Sequence, residues 1–261
     1  MASEAVVEGT VQEGVTDYIM HHVQDGTHWA VAKWSTDLPQ PFTLHFCMFL
    51  IAFALLAWLF IGKYKKQDKV PTGLTNVLET LVVFVRDEIS IAYLGKEDGR
   101  KLAPLFCAFF FFILSLNLLG LVPIFSTATG NFTATLALAS VVFFFMTVGA
   151  IAKNGPVGFF QAFVPHGVPI PVLIIIVPLE LLGVLIKTGV LALRLFANLL
   201  AGHIVLFNLL GLVVVFGVAA APALAIALFV FFLEILVSFL QAYIFTMLSA
   251  MFIGQIYHPE H

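Results

Sequence analysis

Long apolar runs separated by short polar connections make up the chain from residue 42 onward. Residues 42–62 supply about 20 mostly apolar positions, enough to cross a ~30 Å hydrocarbon core, and the run stops at the polar stretch GKYKKQDK. Residues 73–94 place Glu79, Arg86, Asp87 and Glu88 within apolar sequence. A crossing there would put several charges in lipid at roughly 2.5–3.5 kcal/mol each, so the segment predicts an amphipathic helix lying in the interface. Residues 102–125 and 134–152 predict two further spans, joined by VPIFSTATGNFT, whose Pro, Gly and Asn favour a turn. No internal repeat occurs, and low complexity is confined to runs of phenylalanine.

The last third has a different pattern, because residues 171–216 and 222–257 are each far longer than one crossing requires. A helix of about 40 residues measures ~60 Å, about twice the hydrocarbon thickness. Ordinary tilts reach about 40° and do not absorb that excess. The two segments therefore predict a long, strongly tilted hairpin that turns at residues 217–222, with Pro178 and Gly183 as bend points. The expected fold class is an all-α polytopic membrane protein: about five membrane helices and one interfacial helix, preceded by a tail at residues 1–41.

Composition agrees, since 61% of the 261 residues are hydrophobic and 10% charged, against roughly 25% charged in soluble domains. A net charge of -3 with scattered basic residues excludes a nucleic-acid partner. Cys47 and Cys107 fall in separate apolar segments, which predicts buried thiols and argues against a disulfide framework or metal site. Residues 1–40 are polar and acidic with Lys33 as the one basic residue, unlike a cleaved signal, so the first membrane helix is expected to serve as its own targeting signal.

Basic residues set an expected orientation. With the N-terminal tail outside, Lys63, Lys65, Lys66, Lys69, Arg86, Lys96, Arg100, Lys101 and Lys153 lie on the cytoplasmic side and Lys33 alone lies outside. Placing residues 73–94 in the interface keeps the basic clusters on both its flanks on one side. Of the 12 Lys and Arg residues, Lys187 and Arg194 remain, both at membrane depth.

Those two belong to a stripe. Glu180, Lys187 and Arg194 are seven residues apart, which at about 100° per residue brings each within about 20° of the last, and Asn198 follows Arg194 by four. On the final segment Glu234, Ser238 and Gln241 recur at intervals of four and three. A lone intramembrane Asn, Gln or Ser is commonly an interhelical hydrogen-bonding group, and Lys187 can snorkel to an interface. Arg194 differs, because a guanidinium has no accessible neutral form, and an intramembrane arginine points to function. With the turn at residues 217–222, Arg194 comes level with Gln241, and His203 with Glu234. His203 lies nine residues from Arg194, about 13 Å along the helix and on its opposite face.

The segments LALRLFANLLAGH, LQAYIF and LSLNLLGLVP resemble the signature segments of subunit a of the rotary F-type ATP synthase, and the resemblance covers the chain from about residue 42 to its end. It implies a stator beside a rotating ring of c subunits, with two offset aqueous half-channels serving a ring carboxylate. The implied partners are the c-subunit ring, the peripheral-stalk b subunits, the rest of the synthase and membrane lipid; no cofactor is implied. Carried over by position, Arg194 matches the essential arginine, Asn198 and Gln241 its polar neighbours, and His203 with Glu234 the outer half-channel pair. Asn117 matches a polar residue of the outer path, and Glu180 a carboxylate near the inner exit, while Lys187 and Ser238 stand as supporting polar groups. Many bacterial members have the acid first and the histidine second; here the order is reversed, as mitochondrial members tend to have it. The implied location is a bacterial plasma membrane, with a mitochondrial or thylakoid membrane as the alternative. No GxxxxGK[ST] occurs, so phosphate chemistry is expected in partners rather than in this chain. The alternatives are Na⁺ as the coupling ion, or an ion-coupled secondary transporter, a class that usually shows two related halves.

Overall fold

The computed structural model describes residues 28–31, 34–37, 43–62, 73–122, 125, 127–164 and 170–258. Helices dominate. The exception among the described residues is a two-stranded antiparallel hairpin, β1 (His28–Val31) with β2 (Trp34–Asp37), in which His28 faces Asp37 and Val31 faces Trp34. It adds a short feature to the tail of an otherwise helical membrane protein.

Helix α1 (Leu44–Ala57) continues through a π-helical turn to Gly62. Helix α2 (Leu74–Phe84) passes through a second π-helical turn, Val85–Ile91, into α3 (Ala92–Gly120). The path breaks at Gly95, where φ is 76° and ψ 176°, a conformation that glycine adopts without steric cost. Helix α3 stops at Gly120, five residues short of the end at 125 expected from hydropathy. The reason is local: Pro123 disfavours helical backbone at the residue before it, and the chain turns at Leu121. After a short 3₁₀ turn (Ala128–Gly130), α4 (Phe132–Phe144) starts two residues before the expected 134. Its first turn is capped by Asn131, whose Oδ1 accepts the Thr133 N–H at 2.8 Å. Helix α4 runs through Phe145–Gly149 into α5 (Ala150–Gln161), which breaks at Gly155 just before Pro156.

Helix α6 (Ile170–Phe216) is one 47-residue helix, about 70 Å long. It contains Pro178, and neither Pro178 nor Gly183 interrupts it. Gly217, at φ 55°, ends it and opens the 3₁₀ turn Gly217–Ala220, from which α7 (Ala221–Tyr257) departs. Among the described residues five helical stretches are long and apolar enough to cross a membrane: Leu44–Gly62, Leu74–Gly120, Phe132–Gln161, Pro171–Val213 and Ala221–Tyr257. Large apolar side chains such as Phe53, Ile174, Phe229 and Leu236 lie exposed on them, as suits contact with lipid.

The chain forms two compact units. The first gathers the chain to Leu56 with Phe112–Ala134 and Leu195–Gln241. Its core includes Met48, Ala52, Ile113, Leu116 and Leu199, and Phe49 stacks on Phe112 at 5.6 Å. The second gathers Ala57–Phe111, Thr135–Arg194 and Ala242–His261. There Phe109 meets Phe245 edge-on at 5.7 Å, and Gly254 lets α7 pass against the backbone of Tyr93. The end of α7 is tied down by Lys153, which donates to Asp98 and, at 3.2 Å, to the Tyr257 carbonyl, while His258 Nε2 lies 2.9 Å from Asp98.

Candidate functional site: a buried histidine–glutamate pair

The polar residues of the first unit converge on His203 of α6 and Glu234 of α7. His203 Nδ1 lies 2.9 Å from Glu234 Oε1, and both side chains are buried. His203 Nε2 lies 3.0 Å from the carbonyl oxygen of Gly120, the last residue of α3. A carbonyl can only accept, so Nε2 carries a hydrogen and donates it. That leaves one proton position between Nδ1 and Oε1. Either Nδ1 holds the proton, giving imidazolium beside carboxylate, or Oε1 holds it, giving a neutral acid donating to a neutral ring. Moving that proton across a 2.9 Å gap interconverts the two forms without any heavy-atom rearrangement.

The surroundings favour such a pair over two separate charges. A lone buried ion carries a desolvation penalty of several kcal/mol, and a partner with a complementary hydrogen bond offsets it. Gly202 is what permits the approach, because a Cβ there would collide with Oε1 of Glu234. Ser238, one turn after Glu234, and Asn117, one turn before Gly120, are also buried, and Asn117 Nδ2 donates to the Ser238 carbonyl at 3.4 Å. Glu234 Oε2, Ser238 Oγ and Asn117 Oδ1 are buried and make no hydrogen bond within the structure. Buried polar atoms of this kind are ordinarily satisfied by ordered water, so the pair sits in surroundings suited to hold it.

The other site candidates are placed as follows. Arg194 is exposed on α6 at the end of the second unit, and its guanidinium makes no hydrogen bond or ion pair to another described residue. Asn198 is half-buried, Glu180 exposed, and Gln241 buried at the end of the first unit. Lys187 does not reach along the stripe to Glu180. Its Nζ donates to Gln255 on α7 at 3.0 Å and lies 5.6 Å from the Phe252 ring centroid. Cys47 and Cys107 are free thiols, half-buried rather than fully buried as their apolar segments suggested, because helices facing lipid leave part of each side chain uncovered. The sequence reading passed over two participants, Gly120 and Gly202. Both act through what a glycine has or lacks at the backbone, and the signal available for Gly202 was only its place beside His203.

Comparison with known proteins gives the family. The model of the ATP synthase A chain family matches residues 45–254. The chain is 40% identical over 276 residues to ATP synthase subunit a of Anaeromyxobacter dehalogenans (strain 2CP-C), covering 95% of this chain and 72% of that protein. It is similarly 45% identical over 223 residues to subunit a of Myxococcus xanthus (strain DK1622), with 82% and 73% covered. With subunit a of Chloroherpeton thalassium (strain ATCC 35110 / GB-78) it shares 41% identity over 259 residues, with 93% and 77% covered. The match takes in α1 through α7 with both members of the buried pair, and the chain belongs to the ATP synthase A chain family.

Proposed function

We propose that this chain, the stator subunit of the proton channel of an ATP synthase, couples proton flow to rotation through Arg194 and two offset half-channels, with His203 and Glu234 relaying protons in the outer one. The observation that carries this reading is the 2.9 Å contact between His203 Nδ1 and Glu234 Oε1, two buried groups that share one proton position. Imidazole beside a carboxyl suits H⁺; Na⁺, a hard cation, calls for oxygen ligands. Arg194, a cation exposed at membrane depth, would attract a deprotonated carboxylate on a passing ring helix by several kcal/mol in a low dielectric. Deprotonation is thereby favoured opposite Arg194. The same charge repels a proton, so protons do not pass directly from one half-channel to the other and must travel round on the ring. A potential worth about 2.3 kcal/mol per charge per 100 mV then requires several protons per ATP.

In this reading Asn198 and Gln241 flank the arginine, Asn117 lines the outer path and Glu180 the inner exit. The partners are the c-subunit ring and the peripheral-stalk b subunits, phosphate chemistry belongs to other subunits, and the N-terminal tail lies outside with the C-terminus in the cytoplasm. Arg194→Ala tests the coupling: ATP-driven pumping by the assembled complex should fall by well over about tenfold, and Lys should rescue it incompletely because an ammonium differs in reach, hydration and ease of deprotonation. Glu234→Gln tests the relay. Glutamine keeps a hydrogen bond to His203 but holds no mobile proton, so flux should slow and its pH profile change while assembly persists. Native pumping by an inserted Arg194→Ala protein overturns the coupling, and an unchanged pH profile for Glu234→Gln removes the pair from the proton path.

A further inference from the structure

The polar chain of the first unit does not end at the histidine–glutamate pair. Gly120, whose carbonyl receives the His203 Nε2–H, lies so close to Thr127 that a Cβ there would come within 3.1 Å of the threonine methyl. Thr127 begins the turn that leads through the buried 3₁₀ segment Ala128–Gly130 to Asn131. Asn131 Oδ1 accepts the Thr133 N–H at 2.8 Å, which turns its amide nitrogen toward a second buried histidine, His45, in the first turn of α1. Asn131 Nδ2 lies 3.3 Å from His45 Nδ1. With the amide so oriented, His45 Nδ1 accepts the Asn131 hydrogen.

The hydroxyls of this turn, like that of Ser238, differ from most helical hydroxyls among the described residues. Thr80, Ser140, Thr147, Thr188, Thr246 and Ser249 each donate to the carbonyl four residues earlier, at 2.7–3.0 Å. Thr127 and Thr129 do not; their Oγ1 atoms are buried and make no hydrogen bond within the structure. Irregular backbone buried between two membrane helices needs polar partners from the protein or from water. Two unsatisfied hydroxyls within it are the partners that an ordered water needs.

We propose that His45 is a proton-relaying residue of the outer half-channel, upstream of His203 and Glu234, with water held by Thr127 and Thr129 between them; this rests on the function proposed above. His45 takes a proton from the aqueous side and becomes imidazolium. It then releases one to that water and returns to the neutral ring, and the proton passes on to the position between His203 and Glu234. Only N–H and O–H bonds form and break. Protonation of Nδ1 would set a donor against the Asn131 amide, which must then turn and give up its cap on Thr133. That penalty keeps the charged form short-lived, as a relay requires.

The test uses the intact synthase in sealed vesicles, with assembly checked by subunit content. His45→Gln, which keeps a polar amide but does not titrate, should slow ATP-driven pumping severalfold. His45→Ala should be slowed as much and partly restored by millimolar imidazole. A native rate for assembled His45→Gln overturns the proposal, as does a His45→Ala defect that imidazole leaves unchanged, since both outcomes mark a contact that merely pins α1. Should His45→Ala fail to assemble, the paired Thr127→Val and Thr129→Val substitutions keep the shape and remove the hydroxyls: slowed flux supports the relay, and native flux overturns it. Glu234→Gln run in parallel separates the two levels. If Glu234→Gln is slow while His45→Gln is native, this inference alone falls; if Glu234→Gln is unimpaired, the underlying function falls.

Discussion

Arg194 and His203 show how differently two polar residues of one helix can be used. The arginine is exposed and makes no hydrogen bond or ion pair to another described residue, whereas the histidine is buried with both ring nitrogens engaged. An exposed cation at membrane depth is expensive in isolation, which is the physical reason to assign it a partner outside this chain. The histidine needs none, and its environment depends on Gly202. Gly202→Ala would drive a methyl group into Glu234 Oε1, with the carboxyl carbon at 3.0 Å. We expect the carboxylate to be pushed off Nδ1 at about 1–3 kcal/mol, and proton pumping per assembled complex to fall. Pumping at the native rate would show that the carboxylate can shift without consequence. The pairing of His203 with Glu234 was legible, since a turn at 217–222 makes them level. Their third partner was not, because every residue carries a carbonyl and nothing in a side chain says which one a ring will reach.

At the scale of elements, long apolar runs translate directly into helices, and the 47-residue α6 is the clearest case. The joints between helices were less legible. At the α2–α3 joint, Ser90 Oγ donates to the Gly99 carbonyl at 2.6 Å, and a Cβ on Gly99 would come within 2.7 Å of the Ile91 Cα and 2.8 Å of the Ser90 carbonyl oxygen. Gly95, four residues earlier, has φ 76° but open space around it. Gly95→Ala should therefore cost about 1–2 kcal/mol of backbone strain alone. Gly99→Ala must in addition force two backbones apart and should lower thermal stability in detergent further than Gly95→Ala does. Equal losses would mean that the joint does not depend on this close approach. A hydropathy pattern does not distinguish the two glycines, since one is needed for its dihedral angle and the other for the absence of a side chain.

For the molecule as a whole, the distribution of charge carries the proposed orientation. In the proposed orientation nine basic residues lie on the cytoplasmic side against Lys33 on the other, because translocating such clusters is disfavoured. A peptide tag after His261 should therefore be cleaved by protease in inverted vesicles and protected in right-side-out ones. The opposite pattern would overturn the proposed orientation and with it the assignment of outer and inner half-channels. In the proposed orientation the Lys153, Asp98 and His258 contacts that hold the end of α7 lie on the cytoplasmic side.

Hydropathy and the spacing of charged residues, taken from the sequence alone, determined that the chain is a bundle of membrane helices with polar residues set at helical intervals. They do so because lipid tolerates few charges and leaves backbone groups no partner outside the helix. Only the tertiary structure decided which of those residues meet, which are buried and which stay exposed. Those outcomes depend on distances of an ångström or less between helices remote in sequence: a glycine that admits a carboxylate, a carbonyl that sets a tautomer, an asparagine that turns its amide toward a histidine 86 residues away. Periodicity places a side chain on a face, and only packing chooses its partner.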